Sequence, residues 1–187
     1  MKIEEGIRNA QSSLPGGPTQ PEIMAVTLAK LAIMPDDVIA EIGCGTGTVT
    51  AALAQKASRV ITMDVRTEAI ECTKKLLLHK QLSNVEVFHG DARDVLFRCG
   101  SMNKAFCGGS KGINEIVPVL CAHGVTRIVV NAVLLETVLT TIQALKENNM
   151  VHEIVHLQVS RSVELAGRTM FVPIHPVYII TGCKQTE

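Results

Sequence analysis

Residues 38–54 read VIAEIGCGTGTVTAALA, and this stretch limits the fold more than any other part of the chain. Five residues of buried-strand character run into three glycines at alternate positions, and a helical pattern follows at once. A strand that turns through glycines into a helix is the opening βα unit of an open parallel sheet. Such sheets bind ligands beyond the carboxyl ends of their strands. Gly43 and Gly47 permit tight turns, and Gly45 lets a ligand approach bare main chain. The new helix presents unpaired N–H groups to an anionic group.

Strands and helices alternate after this unit. Hydrophobic spacing predicts strands over 38–42, 59–63, 85–88, 104–107 and 126–130. Helices are predicted over 48–56, 67–80, 113–123 and 135–148, with Pro118 expected to kink or shorten the third of these. An earlier helix carries Ile23, Met24, Leu28 and Leu31 at helical spacing. Thr19 is expected to cap it, Pro21 to sit in its first turn, Glu22 to complete a capping box and Pro35 to end it. The tail differs: MVHEIVHLQVS and HPVYIITGC are strand-like, with no helical pattern between them. They are expected to pair antiparallel at one sheet edge, joined by RSVELAGRTMF. The class is therefore α/β, a mainly parallel sheet with helices on both faces. We expect one domain over 1–187: a covering segment over 1–36, a binding core over 37–150 and antiparallel strands over 151–187.

Lys and Arg together number 18, as do Asp and Glu, and aromatic residues make up 3% with no Trp. A nucleic-acid binder shows a basic excess and stacking platforms, so this composition argues against one. The cysteines at 44, 72, 99, 107, 121 and 183 form no C-x-x-C pair, and the start MKIEEGIRNAQSS lacks an apolar signal core. Reduced thiols in a cytoplasmic protein are the expectation, with no membrane contact, because the apolar runs are too short for a bilayer. The histidines at 79, 89, 123, 152, 156 and 175 show no zinc-like spacing, and no metal site is predicted. His152 and His156 are assigned a surface or packing role.

Two ligand classes suit the glycine turn. A dinucleotide fold wants G-x-G-x-x-G, but here the spacing is G-x-G-x-G and Thr48 stands at the third dinucleotide position. A tighter loop suits a smaller group, such as the amino-acid part of S-adenosylmethionine. No Gly-Lys-Ser/Thr follows, so the turn is not a phosphate loop of the nucleotide-hydrolase kind. Asp64 ends the second strand, where a carboxylate can accept both ribose hydroxyl hydrogens, and this suits either class. HGDA, with Asp91 and Ala92, ends the third strand and would flank an adenine. Glu41 sits in an otherwise apolar strand, so burial obliges it to find a partner: neighbouring backbone, or the ammonium of a bound cofactor. Singly, the glycines read as plain turns, Asp64 as a helix cap and Asp91 as a turn former. At three successive strand ends of one α/β chain, the set favours a ligand site.

EIGCGTGT, Asp64 and GDA resemble the class I methyltransferases that use S-adenosylmethionine. LPGGPTQPEI before the first strand, GGSKG after the fourth, NAVLLET after the fifth and GRTMFVPIHPVYIITG near the end narrow the resemblance to one family. It is the decarboxylating cobalt-precorrin-6B C(15)-methyltransferase family of cobalamin biosynthesis, and the likeness covers nearly the whole chain. The resemblance implies a Rossmann-like, seven-stranded, mostly parallel sheet with an antiparallel C-terminal hairpin. It implies methyl transfer to carbon 15 of (cobalt-)precorrin-6B, with loss of the ring-C acetate carboxyl. The cofactor site it implies comprises Thr19, Gly43, Cys44, Gly45, Thr46, Gly47, Asp64 and Ala92, to which the reading above adds Glu41 and Asp91. The chain departs from the family at His175, where Asn is commoner, and at Asn103, where an acidic residue is common.

A macrocycle with several carboxylates needs donors. Gly108, Gly109, Ser110 and Lys111 of GGSKG follow a strand and open a helix, so their N–H groups and the lysine are expected to receive an anionic group. Arg93, Arg161 and Arg168 lie in expected loops and are candidates for forked carboxylate contacts, against the plainer role of solvated surface charges. No general base is named, because the carbon nucleophile requires none. The family forms homotetramers, which would cover the two C-terminal strands, and a separate methyltransferase for carbon 5 is a possible partner. A tRNA adenine methyltransferase of the same fold is the competing reading, disfavoured by neutral charge and by the missing Asn/Asp-Pro-Pro-Tyr motif. A non-enzymatic cofactor-binding interaction protein is the third, opposed by the intact glycine turn, Asp64 and GDA.

Overall fold

The computed structural model describes Leu14, residues 17–109 and residues 111–184; the rest of the expected covering segment before Gly17, and Ser110, lie outside the described residues. The elements run α1 (Pro21–Leu31), β1 (Val38–Ile42), α2 (Thr48–Ala54), β2 (Arg59–Asp64), α3 (Thr67–His79), β3 (Val85–His89), α4 (Ala92–Leu96) and β4 (Lys104–Cys107). They continue α5 (Ile113–Ala122), β5 (Arg127–Ala132), α6 (Leu135–Glu147), β6 (Met150–Leu157), β7 (Ser160–Leu165), β8 (Arg168–Pro173) and β9 (Val177–Lys184). Seven strands form one sheet in the order β3-β2-β1-β4-β5-β9-β6. The first five are parallel; β9 runs antiparallel to both β5 and β6.

Side chains alternate across a strand, and β1 shows what that does here. Ala40 and Ile42 join a core with Ile116, Val117 and Leu120 of α5 and with Val138 and Leu145 of α6. Ile39 faces the other way, into a second core with Leu31 of α1 and Val49 and Leu53 of α2. Glu41 shares that second face and is driven beneath α2. Phe106 of β4 is fully buried there, and a side chain of that size contributes about 2–3 kcal/mol by leaving water. At the amino ends of the strands Lys104 Nζ meets Asp37 Oδ2 at 2.6 Å and also bonds the Ala32 carbonyl. Asn103 donates to Asp37 and accepts from Val38 N, so this position ties β4 to β1 without a negative charge of its own.

Several local expectations are corrected. Gln20, not Thr19, is the N-cap of α1 and no side chain bonds there; Glu22 is instead held in a fork by Arg161. The helix ends three residues ahead of the expected range, because Ala32 turns left-handed at φ 48° and returns its N–H to Leu28 and Ala29. Pro118 does not shorten α5. It lies on the exposed face with Asn114, so the carbonyl it leaves unpaired lies on the solvent side while Ile116, Val117 and Leu120 stay buried. A short helix, α4, follows β3 where none was expected. The C-terminal runs do pair antiparallel, but RSVELAGRTMF is no simple link: it folds into a separate β7–β8 ribbon. His156 stacks on its cross-strand neighbour Tyr178 with ring centroids 4.3 Å apart, a packing role. No helix among the described residues is long and apolar enough to cross a membrane, and the six cysteines are unpaired.

Candidate cofactor and substrate site

Gly43, Gly45 and Gly47 have φ of 85°, 54° and 77°, in the left-handed region that favours glycine. Their reasons differ. A Cβ on Gly43 would stand 2.7 Å from the Gly109 nitrogen, and one on Gly47 would stand 2.9 Å from Thr73 Cα. A Cβ on Gly45 would meet only the Arg66 guanidinium, at 3.8 Å. The outer glycines let main chains touch, and the middle one leaves main chain bare. The loops after β1 and β4 are joined further, since Gly108 N and Gly109 N both donate to the Ile42 carbonyl at 2.9 and 3.0 Å. Those two amides are therefore engaged, and the expectation that they receive an anion does not rest on them. A Cβ on Gly108 would crowd the Gly43 carbonyl and the Phe106 ring, both at 3.2 Å, and Gly109 leaves room for the main chain of Gly43 to approach.

Three carboxylates surround this loop. Asp64, at the end of β2, accepts from Gly45 N (3.0 Å) and Arg66 Nη2 (2.9 Å) on Oδ2 and from Arg66 N and Nε (both 3.0 Å) on Oδ1. Burial alone would raise its pKa, but the Arg66 fork and the backbone amides outweigh burial and hold it below the usual range. Asp91 repeats the arrangement one strand over: Arg93 forks onto it, holding its carboxyl well below the usual range, and Arg93 Nη1 also reaches Glu115 at 2.7 Å. Asp91 additionally caps α4 through Arg93 N, which is why a helix follows the turn.

Glu41 is fully buried. Its Oε2 accepts from the hydroxyls of Thr50 (2.5 Å) and Thr62 (2.6 Å) rather than from neighbouring backbone, the first of the two alternatives, while Oε1 has no hydrogen-bond partner among the described residues. Burial pushes its pKa up to about 7. Burial likewise pushes the Cys44 thiol up to about 12, so it is no nucleophile.

Two cavities open at this end of the sheet. The smaller, about 350 Å³, is lined by Gly43, Asp64, Arg66, Asp91, Ala92 and Lys111 among others. The larger, about 890 Å³, is lined by Thr19, Asn131, Val133, Leu134, Thr137 and His175 among others. Gly108 belongs to both walls. Gly43, Asp64, Asp91, Ala92 and Lys111 are thus gathered at the smaller cavity, and Arg93 is tied to it through its fork onto Asp91. Thr19 stands apart from them in the larger one. Cys44, Gly45, Thr46, Gly47 and Glu41 belong to or lie beneath the glycine loop and line neither cavity. Arg161 is paired with Glu22, and Arg168 opens β8 in the projecting ribbon, so neither joins this group. Arg66, Asn131 and His175 were not expected as site residues. The repeated Asp-x-Arg at the ends of β2 and β3 was the one available signal for Arg66.

The bare main chain at Gly45 and the buried Asp64 beside it fit a small ligand bearing hydroxyl donors. Residues 15–184 match the family described as precorrin methyltransferase domain. The chain is 43% identical, over 92% of its length and 97% of the relative's, to a Methanosarcina acetivorans protein named a probable cobalt-precorrin-6B C(15)-methyltransferase (decarboxylating). Among solved structures it is similar to the precorrin 8w decarboxylase of Methanobacterium thermoautotrophicum, with TM-score 0.86 and 34% identity over 91% of this chain and 94% of that one. It is also similar to the precorrin-6y C5,15-methyltransferase of Geobacter metallireducens, with TM-score 0.84 and 27% identity over 89% and 91%. With the strand order, the glycine turn and the match from Pro15 to Lys184 all in agreement, the chain belongs to the precorrin methyltransferase domain family.

Proposed function

We propose that this protein transfers a methyl group from S-adenosylmethionine to carbon 15 of (cobalt-)precorrin-6B, with loss of the ring-C acetate carboxyl as carbon dioxide, in cobalamin biosynthesis. The observation that carries the reading is the pair of cavities meeting at Gly108, one ringed by carboxylates and glycine main chain, the other more than twice as large. The larger lies at the upper end of small-molecule site sizes, roughly 300–1,000 Å³, as a tetrapyrrole requires.

When bound, S-adenosylmethionine supplies an electrophilic methyl group on a sulfonium. Asp64 accepts the ribose hydroxyls, Asp91 and Ala92 flank the adenine, and Gly45 admits the amino-acid part. Thr46, Cys44, Gly43 and Gly47 shape that turn, Thr19 meets the cofactor from the wall of the larger cavity, and Glu41 balances the ammonium from below. Lys111, on the wall of the smaller cavity, receives a substrate carboxylate, with Arg93 behind it, and Gly108 marks where the two cavities meet. The chain acts chiefly by holding two carbons in line and near, which alone lowers a barrier substantially. No residue of the site need take a proton from the attacking carbon, because the conjugated ring delocalises the electrons left by decarboxylation.

The protein works as one domain in the cytoplasm, where its six unpaired thiols stay reduced. We infer that it assembles as a homotetramer, and that a separate enzyme methylates carbon 5. Incubation with purified precorrin-6B or its cobalt form and methyl-labelled cofactor tests the proposal. Label in the macrocycle with one equivalent of carbon dioxide released is the expected result. Unlabelled macrocycle in both forms, with folded protein, would overturn it.

A further inference from the structure

The hydrogen bonds at Asp64 have a pattern that the glycine turn alone does not explain. A carboxylate offers about four acceptor sites, and all four on Asp64 are taken by its own chain, two on each oxygen. Two come from main-chain amides and are fixed by the loop. The other two come from one guanidinium, Nε on Oδ1 and Nη2 on Oδ2. A ribose diol reaching Asp64 would use the same two places, one hydroxyl on each oxygen. The guanidinium also lies over the bare face of Gly45, where it is the nearest group to a Cβ built there. Arg66 thus covers both the Asp64 carboxylate on the cavity wall and the bare glycine turn next to it. The Asp64 side chain is 3% exposed and that of Arg66 38%, so the arginine has solvent to move into and the carboxylate does not.

We propose that the Arg66 guanidinium holds the place of a vicinal diol on Asp64 and leaves it when the nucleoside part of the cofactor binds. The proposal rests on the reading that a ribose is recognised at Asp64. In the ligand-free protein the fork keeps a buried carboxylate satisfied. On binding, one bidentate partner replaces another, and the observed affinity is reduced by the pair that must break. Arg66 is a positioning residue and an internal competitor.

The test is calorimetric titration of the full chain with S-adenosylhomocysteine. Arg66→Ala is expected to bind about fivefold more tightly than the native protein, the scale of a partly exposed ion pair. Arg66→Lys, which keeps the charge but cannot fork, is expected to fall between the two and serves if the alanine variant misfolds, with circular dichroism as control. The Arg66 Nε–H resonance, assigned by its loss in the lysine variant, is expected to shift on saturation. Equal or weaker binding by the variants, or an unmoved resonance, overturns the proposal while leaving the cofactor reading intact. No binding by native protein or either variant overturns both.

Discussion

The five parallel strands and the C-terminal arm treat apolar residues in opposite ways. Ile39, Val60, Ala105 and Val129 are fully buried between helices, whereas Leu165, Met170, Phe171 and Val172 of the β7–β8 ribbon stand in solvent. The edge strand β6 is intermediate: only Met150 is buried, and Val151 and Ile154 are exposed. The parallel half is finished within one chain and opens two cavities at the carboxyl ends of its strands. The ribbon is not. A two-stranded ribbon is marginal on its own, and Arg161 tethers it to the first turn of α1 through Glu22. An arm of this composition reads as surface awaiting cover, and we assign that cover to further copies of the chain.

The strongest way to break the contrast is at Gly43. A valine there drives a side chain into the Gly109 backbone and adds strain at φ 85°, so Gly43→Val is expected to cost about 3 kcal/mol or more, read as a fall in the urea midpoint. Gly45→Val, at φ 54°, carries the backbone strain of a left-handed valine but meets no backbone, so it is expected to lose less stability than Gly43→Val and still fold cooperatively while binding S-adenosylhomocysteine at least roughly 100-fold more weakly. Equal stability losses in the two variants would show that the loop has no distinct ligand-facing member.

Burial can be probed through Glu41. Unfolded, its carboxyl titrates near 4.5; folded, near 7. Between those values the folded chain holds a proton that the unfolded chain has lost, so this group makes stability fall as pH rises from about 4.5 and level off above about 7. The full swing is about 3 kcal/mol. Glu41→Gln, neutral throughout, should remove that decline in denaturation series at pH 5 and pH 8. Parallel pH profiles for the two proteins would mean that Glu41 carries no such penalty.

The smallest expected effect on folding is the one that sharpens the comparison most. Phe171→Glu places a charge on the exposed ribbon and should leave the circular dichroism melt of the subunit nearly unchanged, within about 0.5 kcal/mol. Its mass by light scattering should drop from that of a tetramer. A native protein that runs as a monomer at micromolar concentration would remove the assembly proposal altogether.

Much of the parallel half was legible because its signals are local. The run into the glycine turn, the apolar spacing of α3 and α6 and the position of Asp64 follow from main-chain sterics and from period, and these elements end within a residue or two of where spacing puts them. The β7–β8 ribbon escaped notice because its turn is Ala166-Gly167, with φ of 51° and 71°, and alanine is a rare occupant of such a turn. Its strands also bury neither face, so no alternation marks them. At the site, residue type placed Asp64 and Asp91 at strand ends. It did not say that arginines two positions on fold back over them, nor that the amides of Gly108 and Gly109 are turned inward to Ile42.

The placing of β9 between β5 and β6 bears on how the molecule assembles during synthesis. β6 is made directly after α6, yet its one sheet neighbour among the described residues is β9, three strands later. It cannot join the sheet until β9 has emerged and inserted beside β5. The parallel core and its glycine turn are complete in the nascent chain well before that, while β6 and the ribbon wait with apolar edges uncovered. Long-range pairing of this kind is slow and exposed to misassociation. β9, the latest made of the described strands, is therefore the latch that completes the sheet, and the interval before it closes is when the growing chain most needs shelter from its neighbours.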